Sequence, residues 1–177
     1  MSKIVADADG LIKLGKSGVL GCLLSATEVL VPRAVYREAV DAGKKEMHED
    51  AFELEKVLSE GGVEVVEDQR DGRAEKLLEG VTSLGVGERA TLHVLFAREA
   101  DAVLTDDRAF LNLLGRARIR TLVPAAAIVS LFETDRLRRA KAIEALGRIE
   151  GLLRHEVYEA AMEGLIRPKE PKEEPGR

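Results

Sequence analysis

The amino-acid sequence predicts an α/β fold, a three-layer α/β/α sandwich with a mostly parallel central sheet. Short β-prone runs alternate with longer helical patterns along the 177 residues, which is typical of this architecture. Hydrophobic residues make up 45% of the chain, but aromatic residues make up only 3%. The core must therefore be built from aliphatic side chains, which suits helices packed on parallel strands.

The predicted strands are short, and each is followed by a helical pattern. Asp9 is well placed to cap the first helix, and Pro32 ends the second strand and suits the first turn of the next helix. Strands are predicted over residues 3–6, 28–31, 63–66, 102–105 and 119–123. Helices are predicted from residue 11 onward and over residues 18–24, 33–41, 44–58, 74–78, 87–99, 108–114, 124–133, 138–153 and 155–164.

The chain has the length of one domain, and no internal repeat or second domain is apparent. We predict a single domain over residues 1–166, followed by a disordered tail over residues 167–177 that is rich in Pro, Lys and Glu. Cys22 is the one cysteine, so no disulfide can form within the chain. No apolar run approaches the roughly 18 residues of a membrane span, and we expect no signal segment, since the sequence goes directly into a predicted strand and a charged residue. The expected location is the cytoplasm, without membrane attachment.

The charge is unevenly distributed. The formal net charge is −5, yet basic residues outnumber acidic ones between Arg116 and Arg148. Such a stretch could form a rim that faces the phosphates of a nucleic acid, or an ordinary solvated helix face. The sequence leaves both interpretations open.

Acidic residues fall where predicted strands end or where the following helices begin. Asp7 ends the first strand, Asp106 and Asp107 follow the fourth, and Glu38 and Glu88 lie on helices. A parallel sheet would bring such side chains to one edge. Taken singly, each has a simpler explanation: a turn residue, a solvated helix residue, a helix-dipole partner or an N-cap. The functional interpretation depends on all of them together.

Clustered carboxylates repel one another unless a cation binds between them. Oxygen ligands favour Mg²⁺ or Mn²⁺, and such ions activate water and stabilise charge on a phosphodiester. The pattern therefore predicts metal-assisted hydrolysis of a nucleic-acid backbone. Arg89 and Arg108 are candidates for holding phosphate.

Four short motifs resemble those of the PIN-domain nucleases, which include the VapC-type toxins. The motifs occur in the family's order over about the first 125 residues, and the C-terminal helices are similar to those of one prokaryotic branch. They are Ile-Val-Ala-Asp-Ala-Asp-Gly-Leu-Ile from Ile4, Val-Pro-Arg-Ala-Val-Tyr-Arg-Glu from Val31, Leu-Gly-Val-Gly-Glu-Arg-Ala from Leu84, and Val-Leu-Thr-Asp-Asp-Arg-Ala-Phe from Val103.

The resemblance implies a Mg²⁺- or Mn²⁺-dependent ribonuclease. It implies that the catalytic, metal-binding acids are Asp7, Glu38, Glu88 and Asp107, with Asp106 as a further metal candidate. It also implies a structural role for the hydroxyl of Thr105, a homodimer and, in toxin members, an antitoxin that covers the active site.

The chain departs from the family pattern at two positions. Asp9 replaces a small polar residue and adds negative charge, and Ala109 stands where many members have another acid. These departures bear on whether a second metal ion binds and on whether the site is active. A non-catalytic PIN-like module that binds RNA or a protein partner is therefore an alternative.

A phospho-receiver domain is a further α/β alternative with an acidic pocket. It requires a Lys after the last strand, and here Pro124 and two alanines follow that strand. The sequence therefore gives this alternative little support.

Overall fold

The computed structural model describes residues 2–167, and in this part of the chain five parallel strands form one sheet. The strand order is β3-β2-β1-β4-β5. The central strand, β1, places Val5 opposite Leu30 on one side and Val103 on the other. The strands are β1 (Lys3–Ala6), β2 (Glu28–Pro32), β3 (Glu64–Val66), β4 (Ala102–Leu104) and β5 (Thr121–Leu122).

Helices connect the strands and form the C-terminal part of the domain. The first helices are α1 (Ala8–Ser17), α2 (Leu20–Leu24), α3 (Arg33–Tyr36), a π-helical segment (Arg37–Ala42), α4 (Gly43–Lys45) and α5 (Glu49–Glu60). The later ones are α6 (Gly72–Leu78), α7 (Val86–Ala97), α8 (Arg108–Arg116), α9 (Pro124–Glu133), α10 (Arg139–Arg148), a 3-10 turn (Glu150–Leu152) and α11 (His155–Ile166).

Two hydrophobic cores lie on opposite faces of the sheet, because successive side chains of a strand point to opposite sides. In β1, Ile4 and Ala6 face a core formed with α1, α5, α9, α10 and α11. Val5 faces the other core, with side chains from α6, α7 and α8. The predicted three-layer α/β/α sandwich is therefore confirmed, and the sheet is entirely parallel.

Several predicted boundaries were wrong. Asp7, not Asp9, caps α1: its side chain accepts a hydrogen bond from the backbone N–H of Gly10, and the helix begins at Ala8. The predicted helix over residues 44–58 is interrupted at Met47, whose φ of 60° is left-handed, so α5 begins only at Glu49.

The C-terminal boundaries also shift. The predicted helix over residues 138–153 ends at Arg148, and a 3-10 turn follows it. Arg167, the first residue of the predicted tail, donates its backbone N–H to the carbonyl of Glu163. The rest of that tail, residues 168–177, lies outside the described residues. Over residues 2–167, no helix combines the length and apolarity that a membrane crossing requires.

Candidate functional site at the carboxyl ends of the strands

Asp7 is the first residue after the central strand, and its side chain is almost fully buried, with 3% of the residue exposed. Its backbone N–H donates to the carbonyl of Leu104 in β4 at 3.0 Å, which holds the end of β1 against β4. Its Oδ1 accepts a 2.8 Å hydrogen bond from the N–H of Gly10. The carboxylate is thus fixed at the carboxyl edge of the sheet and at the N-terminus of α1.

Thr105 binds the second oxygen of this carboxylate. Its Oγ1 donates to Oδ2 of Asp7 and accepts from the backbone N–H of Asp107 at 3.2 Å. Thr105 is completely buried at the end of β4. Its hydroxyl therefore connects the ends of two neighbouring strands and the start of α8, which agrees with the structural role that the resemblance implies for it.

The environment raises the pKa of Asp7 from 3.8 to about 7. Burial is the main cause, and the negative charges of Asp9 and Glu88 add to it. The hydrogen bonds from Thr105 and Gly10 act in the opposite direction, because they stabilise the ionised form. The charged carboxylate is therefore costly here unless a cation offsets it.

Glu38 and Glu88 lie close together on two packed helices. Glu38 is in the π-helical segment, a distortion that is frequent at functional sites, and Glu88 is in the first turn of α7. A Cβ built at Gly87 would lie 2.7 Å from Oε2 of Glu38, so Glu38 reaches over the backbone of α7. Burial, and then the charge of Glu88, raises the pKa of Glu38.

Asp106 and Asp107 have different environments, although they are adjacent. Asp107 is half-buried and caps α8, with Oδ1 accepting from the N–H of Phe110 at 2.7 Å. Asp106 is buried, and its Oδ2 lies 2.7 Å from Nζ of Lys13. Its Oδ1 has no hydrogen-bond partner among the described residues. Of these two acids, Asp107 is therefore the cap of the helix.

Lys13 belongs to this site, and the sequence interpretation missed it. Its Nζ also lies 2.8 Å from Oδ2 of Asp9, one helical turn earlier. Burial lowers the pKa of Lys13, but its hydrogen bonds to Asp106 and Asp9 outweigh that effect and raise it overall. The four-residue spacing from Asp9 to Lys13 was a visible signal of an ion pair. No local signal indicated that Lys13 also pairs with Asp106, because the two residues are 93 positions apart in the sequence.

The predicted acids form two groups at one edge of the sheet. Asp7 and Asp107 are joined through Thr105, and Glu38 lies near Glu88, whose negative charge raises the pKa of both Glu38 and Asp7. Within residues 2–167, no three acidic, histidine or cysteine side chains lie close enough to hold a metal ion in this conformation. The ligand set therefore remains a prediction.

The chemistry of these residues nevertheless fits a hard divalent cation. All candidate donors are carboxylate oxygens, the kind that Mg²⁺ and Mn²⁺ prefer. Burial and mutual repulsion raise the pKa of Asp7 and of Glu38, and a cation would relieve both effects. In the described part of the chain, no hydrogen bond or ion pair holds the carboxylates of Glu38 and Glu88.

Several basic side chains bind their own chain. The guanidinium of Arg89 donates to the carbonyls of Val81 and Leu84 and thereby holds the loop before α7. Arg89 is thus a loop-holding residue and not the free phosphate ligand that was expected. Arg108, the other candidate, is exposed at the start of α8.

The basic residues between Arg116 and Arg148 also divide into some that bind their own chain and some that are exposed. Arg139 lies over the ring of Phe132, and both Lys141 and Arg148 pair with Glu144. Arg116, Arg118 and Arg120 are exposed. Part of the stretch is therefore a helix face whose charges are paired within the chain. For the exposed arginines, a role in phosphate binding stays a prediction.

Comparison with known proteins gives one match. A family model described as "PIN domain" matches residues 3–165, which is most of the chain. No curated protein and no solved structure matches significantly. The parallel sheet, with Asp7 buried at the end of its central strand, agrees with that assignment. The chain therefore belongs to the PIN-domain family, a group with a nuclease-type fold whose members are generally nucleases.

Proposed function

We propose that this protein is a metal-dependent endoribonuclease that hydrolyses RNA phosphodiester bonds with Mg²⁺ or Mn²⁺. The observation that carries the proposal is the buried carboxylate of Asp7. Both of its oxygens accept hydrogen bonds, burial raises its pKa to about 7, and the charge of Glu88 acts on it. Capping of α1 accounts for the hydrogen bond from Gly10, but it does not require an acid so deeply buried beside other acids, whereas a cation-binding site does.

The residues that would hold the ion are Asp7, Glu38, Glu88 and Asp107, since the carboxylate of Asp106, the further candidate from the sequence, is already paired with Lys13. A bound divalent ion would lower the pKa of a water molecule and offset charge on the phosphodiester. Thr105 and the N–H of Gly10 orient Asp7, and the cap to Phe110 orients Asp107. Arg108 is placed at the surface near Asp107 and is the remaining candidate for phosphate contact.

The proposal extends to biological context, where it depends on the family resemblance. The chain would be the toxin of a toxin–antitoxin pair of the VapC type, act in the cytoplasm on an RNA substrate, form a homodimer, and be inhibited by an antitoxin protein.

A second candidate function is a non-catalytic module that binds RNA or a protein. Two observations favour it. Lys13 neutralises acids at the same edge of the sheet, and the acids described do not converge on one point. This candidate predicts binding without cleavage in any metal.

The test is a cleavage assay on a mixed RNA pool with Mg²⁺, Mn²⁺ or EDTA. Asp7→Asn removes the charge and keeps the volume, and Asp50→Asn on the exposed face of α5 is its matched control. We expect fragments that need metal and disappear only with Asp7→Asn. Cleavage by pure Asp7→Asn protein would contradict the assignment of Asp7 as a catalytic residue. RNA binding without cleavage by folded wild-type protein would favour the non-catalytic binding module.

A further inference from the structure

A half-buried ammonium group bridges two carboxylates from separate parts of the chain. Nζ of Lys13, on α1, lies 2.8 Å from Asp9 in the same helix. It also lies 2.7 Å from Asp106, in the segment between β4 and α8. The cation therefore joins the first turn of α1 to the loop that begins at Thr105.

The Asp106 side of this bridge is largely withdrawn from water, and the Asp9 side is not. The side chains of Lys13 and Asp106 are 13% and 3% exposed, whereas that of Asp9 is 42% exposed. Oδ1 of Asp106 is buried without a hydrogen-bond partner among residues 2–167. Lys13 is thus the cation that compensates the Asp106 carboxylate in the described structure. Removing it would leave a buried charge without compensation, which is strongly unfavourable.

The position of this ammonium is one that a divalent ion would otherwise take. Two carboxylates whose oxygens both lie within 3 Å of one point are suitable ligands for a hard cation. A divalent ion cannot bind the same oxygens while the ammonium remains, because the two cations would lie a few ångströms apart and repel each other. Occupancy by Lys13 and occupancy by a metal are mutually exclusive.

We propose that Lys13 takes the place of a second metal ion on Asp9 and Asp106, so that this protein binds one divalent ion per chain. The inference rests on the proposed metal-dependent function, since it presumes an ion held by the other acids. It also gives a role to Asp9, the departure from the family pattern: the added carboxylate is the helical partner of Lys13. Asp106 is then an ion-pair partner and not a metal ligand.

The experiment counts bound Mn²⁺ by equilibrium dialysis and by electron paramagnetic resonance of the free ion. We expect one ion per chain for wild type and two for Lys13→Met, because methionine keeps the unbranched stem and frees both carboxylates. Lys16→Met is the matched control on the same helix, where the lysine pairs with Asp50 at the surface, and it should bind one ion. Circular dichroism verifies that each variant is folded.

Asp106→Asn decides the question separately if Lys13→Met fails to fold. Lys13 keeps Asp9 as its partner in this variant, and the protein should still bind one ion. Loss of that ion would identify Asp106 as a metal ligand and overturn the inference. Two ions in wild type, or one ion in folded Lys13→Met, would overturn it while leaving the metal-dependent function intact. No ion in wild type would overturn both.

Discussion

The hydroxyl of Thr105 at the end of β4 donates a hydrogen bond to the carboxylate of Asp7 at the end of β1. The other oxygen of Asp7 accepts from the N–H of Gly10, so the rotation of this buried carboxylate is fixed from two sides. The same hydroxyl accepts from the N–H of Asp107. One threonine hydroxyl therefore joins the side chain of Asp7 to the backbone of Asp107, two of the four candidate catalytic acids.

Replacing Thr105 with valine should separate this hydrogen bonding from packing. Valine has nearly the same shape but leaves Oδ2 of Asp7 and the N–H of Asp107 without their partner. We expect the free energy of unfolding, measured with urea, to fall by about 1–3 kcal/mol. The rate of RNA cleavage should fall as well, because the carboxylate of Asp7 loses one of the two hydrogen bonds that orient it. Thr105→Ser keeps the hydroxyl and should retain most of the activity. Equal activity of the valine and serine variants would contradict the positioning role.

Gly87→Ala should displace Glu38 with little effect on the fold. The added Cβ would lie 2.7 Å from Oε2 of Glu38, which is the far end of a flexible side chain and can move. We expect the free energy of unfolding to change by less than about 1 kcal/mol. The affinity for Mn²⁺, measured by calorimetry, should decrease. Gly147→Ala is the control, since its Cβ meets open space. Unchanged Mn²⁺ affinity would remove Glu38 from the ligand set.

Stability should depend on pH through Asp7. Its pKa is about 7 in the folded protein, against an ordinary value of 3.8 for an aspartate, so the folded state binds a proton more tightly than the unfolded state. Protonation of Asp7 therefore contributes its full stabilisation below pH 3.8, and this contribution is lost as the pH rises toward 7. A difference of this size corresponds to roughly 4 kcal/mol at most. The raised pKa of Glu38 acts in the same direction.

The measurement is the urea midpoint of protein in EDTA at several pH values between 4 and 8. The midpoint of the wild-type protein should decline as the pH rises, and Asp7→Asn should remove most of this decline. Asp71 does not interfere, because its ion pair with Arg73 and its backbone bonds lower its pKa to about 2. Its contribution is present above pH 3.8 and disappears only as pH falls toward 2. A wild-type midpoint that is flat between pH 4 and 7 would contradict the burial argument.

Local patterns were sufficient for much of the fold. The sequence predicted the bounds of β1 as observed, because a β-branched run ends at a charged residue. It also predicted those of α9, because a proline occupies the first helical position. The parallel sheet then follows from the alternation of strands and helices. The position of Asp7 at the sheet edge follows from that topology.

Contacts between distant segments were beyond sequence reasoning. Asp7 and Asp9 are both good N-cap residues, and the choice of Asp7 depends on its backbone bond to Leu104 in β4. The pairing of Lys13 with Asp106 depends on how α1 packs over the same strand. The π-helical segment that carries Glu38 has no local sequence signature. In each case tertiary packing selects among locally equivalent options.

Gly10→Ala should damage both the fold and the site, because the backbone of α1 lies close against β4 at this residue. A Cβ there would lie 2.7 Å from the carbonyl oxygen of Leu104 and 2.9 Å from its Cγ. The carbonyl is backbone in an inner strand and cannot move aside, so we expect a loss of about 1–3 kcal/mol in the free energy of unfolding. The shift of α1 would also pull the N–H of residue 10 away from Asp7 and reduce cleavage. Gly115→Ala on α8, which meets open space, should leave both properties unchanged. Wild-type stability of Gly10→Ala would mean that α1 and β4 are less tightly packed than this contact implies.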